Sequence, residues 1–98
     1  MDEEKIMTQH PAGKSGVNIN KTKYEAMRTA ILAAIDNQGE IAFSDLATAV
    51  TPLLPESFDG SVGWYVTTVK LDLEARGEIE RTPGKTPQHL RRVDASSA

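Results

Sequence analysis

Residues 11–16 read Pro-Ala-Gly-Lys-Ser-Gly and contain the Gly-Lys-Ser of a phosphate-binding loop. In such a loop, backbone N–H groups cradle the phosphates and the lysine reaches the outer ones. The full pattern needs a further glycine five residues before Gly13, a strand before it and a helix after. Thr8 holds that first position, and Val17-Asn18-Ile19-Asn20 is no helix start. The segment therefore reads as a flexible, basic arm, and no cofactor is expected. His10 and His89 are the only histidines and lie far apart, and there is no cysteine. Neither histidine has carboxylates at ligand spacing, so no metal site is expected, and His89 reads as an ordinary strand residue. No nucleophile has a recognisable neighbouring base, so the chain does not read as an enzyme. Asp72 and Glu74 read as solvated helix charges rather than an acid–base pair.

Basic groups near a hairpin leave nucleic-acid binding to consider. The 98 residues carry a net charge of −3, unevenly spread. Residues 26–75 have Arg28 and Lys70 against seven carboxylates. Residues 76–98 have Arg76, Arg81, Lys85, Arg91 and Arg92 against Glu78, Glu80 and Asp94. The C-terminal end is thus locally basic on an acidic body. Affinity for nucleic acid comes largely from such cations neutralising phosphates.

The elements that would position these groups follow from periodicity. Tyr24, Met27, Ile31 and Ile35 recur at helical spacing, with Ala34 beside them. This first helix starts at the Thr22/Glu25 capping-box pattern, or alternatively at Asn20, and stops at Gly39. Ile41 to Phe43 is a short edge piece. A second helix follows Ser44 as N-cap, with Leu46, Val50 and Leu53 as its stripe. It ends or kinks near Pro52. Phe58 plugs the core from a turn. A third helix starts after Asp59 or Ser61 and runs to Arg76, with Gly77 as its stop. Its core face is Val62, Val66, Val69 and Leu73, packed on Ile31, Ile35, Leu46 and Val50. Strands at 78–82 and 88–92 flank a turn at Pro83-Gly84. With Ile79 placed directly opposite Leu90, Glu78 would face Arg91 and Glu80 would face His89.

Helix, short strand, helix, helix, strand, strand is an α+β order and the plan of a winged helix-turn-helix. The expected organisation is an extended N-terminal arm over residues 1–19, a winged-helix domain over 20–93 with a C-terminal hairpin wing, and a disordered tail over 94–98. The stretches "QHPAGKSGVNI", "KYEAMRTAIL", "FDGSVGWYVTTVKLDLEARGEIER" and "PQHLRRV" resemble a family of small, uncharacterised bacterial winged-helix proteins. The resemblance covers nearly the whole chain and implies the fold. It brings no activity, ligand or site residue with it.

Two functions from different classes fit this plan. One is a DNA-binding, transcription-regulator-like module. Lys85, Arg81 and Arg92 would hold phosphates of duplex DNA, and Ser61, Thr67 and Thr68, with Lys70 at the edge, would face the bases. About three phosphate contacts would make the binding weak and non-specific. The other is a protein-interaction or dimerisation module. At about 100° per residue, the back of the third helix carries Trp64, Thr67, Thr68, Leu71 and Ala75, a poor face for reading bases. Residues 6–19 would cover Trp64 and Leu71 through Val17 and Ile19. Failing that, the face would be left to a second copy or to another protein. With an acidic N-terminus and no long apolar run, a cytoplasmic location and no membrane contact are expected.

Overall fold

Asn20 settles where the first helix begins. Its side-chain oxygen accepts the backbone N–H of Lys23 at 3.0 Å, so α1 spans Lys21–Gln38 and starts ahead of Thr22. The computed structural model describes residues 4–10, 16–84 and 87–93. At the other end, Gly39 takes a φ of 77° and returns its N–H to Ile35, a left-handed stop that favours glycine. Tyr24, Met27, Ile31, Ala34 and Ile35 are all buried, as their spacing predicts.

Ahead of α1 the structure departs from the expected arm. Strands β1 (Lys5–Met7) and β2 (Asn18–Asn20) pair antiparallel, with Ile6 opposite Ile19. A two-stranded hairpin is marginal by itself. This one is held by Ile19, which is buried in the core, by Ile6, which packs against it, and by the Lys21 N–H, which reaches back to Glu4 O at 2.8 Å. The Pro11–Ser15 part of the phosphate-loop look-alike lies outside the described residues, as does the 94–98 tail.

β3 (Ile41–Ala42) leads straight into α2 (Phe43–Val50). Ser44 is not the N-cap: Ala42 holds that position without a side-chain bond. The reason is the sheet. The Phe43 N–H donates to Gln88 O at 2.8 Å, so its neighbour in the chain turns helical at once. Leu46 and Val50 are buried, but Leu53 is exposed. Pro52 lies in a 3₁₀ turn, Thr51–Leu53, that follows α2. The tighter winding rotates Leu53 off the stripe, and Leu54 packs on the core instead.

α3 runs Val62–Ala75, capped by Ser61, whose Oγ accepts the Trp64 N–H at 3.2 Å. Gly77, at φ 77°, lets the chain turn away. Val66, Val69 and Leu73 are fully buried and Val62 packs on them, in contact with the α1 and α2 face predicted for them. β4 (Ile79–Arg81) and β5 (His89–Arg92) complete a three-stranded antiparallel sheet of order β3-β5-β4. Its register is Ile79 opposite Arg92, Glu80 opposite Arg91 and Arg81 opposite Leu90. That is a two-residue slip from the expected pairing. A slip of two keeps Ile79 and Leu90 on the buried face. Ile41 opposite Leu90 and the Phe43–Gln88 bond fix β5, and β4 then slides to bring Glu80 against Arg91. The result is an α+β domain of three helices and two small antiparallel sheets.

A candidate binding cleft between the hairpin and the third helix

Alternation along the hairpin sends Ile6, Thr8, Val17 and Ile19 to one face; its strands pack on α1, and its far end faces α3. Between that end and α3 is a cleft of about 150 Å³. Thr8, Gln9, His10, Gly16 and Val17 form one wall, and Trp64, Thr68 and Leu71 form the other. None of these described residues is Lys, Arg, Asp or Glu. Trp64 is 46% exposed and Val17 is 41% exposed. The hairpin therefore covers the back of α3 only in part. Ile19 goes into the core, Val17 stands in the cleft, and the indole remains accessible.

Both walls are fixed by specific contacts. The Thr8 hydroxyl donates to Val17 O at 3.1 Å and accepts the Val17 N–H at 3.0 Å. A side chain at Gly16 would land on the Thr8 carbonyl, so the close approach there requires glycine. On the helix wall, the Trp64 ring meets Tyr65 edge-on at 4.9 Å, and Tyr65 meets Phe58 edge-on at 5.3 Å. Gly60 closes this row: at φ 111° it leaves room for the Tyr65 ring, which would lie 2.8 Å from a Cβ placed there.

The clamp that joins the walls is Asp72. Instead of being solvated, it is fully buried. One oxygen accepts the Gln9 N–H at 2.8 Å, the other accepts the Tyr24 hydroxyl, and Arg76 Nε reaches both at 3.0 and 2.8 Å. Burial, reinforced by the hydrogen bond to Asp72, pushes the Tyr24 phenol well above the usual tyrosine range. The same carboxylate raises Arg76. Glu74 is not solvated either. Its side chain lies between Lys70 Nζ at 3.2 Å and Arg81 Nε at 3.5 Å.

The residues expected to touch nucleic acid do not converge on an open surface. Lys70 is buried, with its ammonium on Glu74 and 4.8 Å above the Phe43 ring. Burial lowers its pKa, and Glu74 partly offsets this. It is not a free cation at the helix edge. On a helical wheel, Lys70 and Asp72 sit about 80° to either side of the core stripe, and α2 and the hairpin close over those flanks. Arg81 lies on Glu74, Arg91 on Glu80 at 2.6 Å, and Arg92 on Asp36 at 3.1 Å. Arg28 pairs with Glu78, so every described arginine is engaged by a carboxylate. Ser61 is spent on the helix cap, Thr67 is exposed, and Thr68 is half-buried in the cleft. Lys85 lies outside the described residues. Among those described, no group of three or more His, Asp or Glu could hold a metal, and no helix is long and apolar enough to cross a membrane.

Thr8, Gln9 and Asp72 had no place in the sequence-based site. Their signal was faint: a two-residue alternation on each side of residues 11–15, and a carboxylate beside a core stripe that contains no other charge. The sequence profile of DUF6958, a family of unknown function, matches residues 5–90. No curated protein and no solved structure matches the chain.

Proposed function

The chain belongs to the DUF6958 family of unknown function, and we propose that it is a winged-helix module that binds another polypeptide through the cleft between its N-terminal hairpin and α3. The β3-β5-β4 order beside three helices supports the winged-helix reading. The carrying observation for function is Trp64. The only tryptophan in the chain stands half-exposed at a preformed cleft whose described walls bear no Lys, Arg, Asp or Glu. An exposed, fixed aromatic of this kind is what protein interfaces use as an anchor site.

The test is position-dependent crosslinking. A photo-reactive residue replaces Val17 in one full-length variant and Asp45, on the exposed side of α2, in another. In cells, position 17 should give adducts heavier by the mass of a polypeptide, and position 45 should not. Equal labelling at both sites, or none at 17, removes the reading.

A second reading, weak contact with duplex DNA, is favoured by the half-exposed arginines of the wing. Arg81 and Arg92 would hold phosphates, with Thr67 nearest a groove. It ranks lower because each of these arginines already has a carboxylate partner, and a phosphate would have to displace it.

A further inference from the structure

Resting on the interaction-module reading, we infer that the cleft takes one uncharged, phenylalanine-sized side chain from a partner segment that is itself uncharged around that anchor. Three observations lead there. The first is charge. In a chain that is 26% charged, the described residues lining the cleft include no Lys, Arg, Asp or Glu. A cationic anchor would be stripped of water with no carboxylate in the described lining to pair with, and the one titratable side chain in that lining is His10, so a neutral anchor suits the cleft best.

The second is size. A cavity of about 150 Å³ lined by apolar groups accommodates a single benzene-like ring. The hairpin–α3 cleft has about this volume, open to solvent on one side, with Val17, Leu71 and Trp64 as its apolar lining beside the polar Thr8, Gln9, His10 and Thr68. That is room for one ring. The third is preorganisation. The Phe58–Tyr65–Trp64 row holds the indole edge-on to its neighbour, and the paired Thr8–Val17 bonds hold the opposite wall. Asp72 ties the two walls together through Gln9. A site already in its bound shape loses little freedom on binding, which suits a short segment with one anchor. The indole also offers an edge and a face for ring contact, which favours an aromatic anchor over an aliphatic one.

The experiment is a titration of the full ¹⁵N-labelled chain with acetyl-Gly-Gly-Phe-Gly-Gly-amide, with the same peptide carrying Ala or Lys in the middle, and with free N-acetyl-phenylalaninamide. The Phe peptide should shift the Val17, Trp64 and Leu71 resonances saturably. It should bind at least about tenfold more tightly than the Ala or Lys peptide. Trp64→Ala and Val17→Asp should each weaken it by about as much, with thermal melts confirming that both variants fold, while Leu53→Ala should leave it unchanged. Equal affinity for the Phe and Lys peptides overturns the inference. So does an N-acetyl-phenylalaninamide that binds as tightly as the peptide, which would assign the cleft to a small molecule. Sedimentation showing a dimer that buries Trp64 would overturn it as well, assigning the cleft to a second copy. Crosslinks at position 17 without peptide selectivity would leave the interaction reading standing and sink only the anchor. Peptide selectivity without crosslinks would do the reverse.

Discussion

Arg92 of β5 reaches across to Asp36 near the end of α1, with Nη1 3.1 Å from one carboxylate oxygen and 3.4 Å from the other. The β4–β5 hairpin is thereby tied to the helical body by the side chain that a phosphate-binding reading would need free. Arg91 is likewise held within the sheet by Glu80. The arginines of the locally basic end are, in the fold, held in internal pairs.

That arrangement has a direct consequence for DNA. The unmodified chain should bind random duplex DNA weakly even at low salt. Asp36→Asn combined with Glu80→Gln should release Arg92 and Arg91 and strengthen binding. Two added phosphate contacts would steepen the log–log salt slope by about 1.8. Titrations at two salt concentrations check this. Nanomolar, sequence-selective binding by the unmodified chain at physiological salt would contradict the low rank given to the DNA reading.

Asp72→Ala should be among the most damaging single changes. It leaves the Tyr24 hydroxyl and the Gln9 N–H without their acceptor and Arg76 without its partner. Breaking a buried charged cluster on one side costs about 3–5 kcal/mol. Urea unfolding measures it. A loss under about 1 kcal/mol would mean that the hairpin is not clamped where the structure puts it.

Leu73 and Leu53 make a matched pair. Leu73 is fully buried, and Leu73→Ala should cost about 2–5 kcal/mol. Leu53 is exposed on the 3₁₀ turn, and Leu53→Ala should stay within about 0.5 kcal/mol. Equal effects would restore Leu53 to the α2 stripe.

Alkaline pH probes Tyr24. Its pKa is raised in the folded chain, so the folded state holds this proton more tightly than the unfolded one. The stabilisation is complete below the ordinary tyrosine value of about 10 and is lost as pH rises beyond it. Lys70 works the other way. Burial lowers its pKa, so raising the pH towards the ordinary lysine range removes a cost of folding. Because the two oppose each other, ionisation should be read directly. In a Tyr65→Phe variant, tyrosinate absorbance should stay absent at pH 10 while the chain is folded and appear at once in denaturant. Half-ionisation at pH 10 in the folded chain would show that Tyr24 is not sequestered on Asp72.

Much of this was legible beforehand because periodic apolar residues report their own burial. Ile31, Ile35, Val66, Val69 and Leu73 repeat often enough to fix the phase of α1 and α3, and Gly39 and Gly77 mark their ends. The hairpin was not legible. Three-residue strands give almost no alternation to count, and their pairing joins Lys5, Ile6 and Met7 to Asn20, Ile19 and Asn18 with no opposite charges to announce it. Lys70 and Asp72 misled for another reason. A charge about 80° from a core stripe is solvated only when nothing packs on that flank, and what packs there is set by tertiary contacts. The β4–β5 register was off by an even number for a related reason. Burial patterns fix the face of a strand but not its longitudinal position.

The Gln9–Asp72 bond joins residues 63 positions apart, and this bears on the order of folding. The hairpin precedes α3 in the chain, yet its Gln9 end cannot dock until α3 has emerged and found α1. Contacts of such long sequence separation carry the largest loop-closure cost and form late. The helical core is thus expected to be the early unit and the docking of Gln9 on α3 a late step. On the native side, the same ordering makes the hairpin an early segment to exchange its amide hydrogens, ahead of the α1–α3 core. The cleft is therefore expected to be completed late in folding, and a chain lacking residues 1–19 would keep the helical core without it.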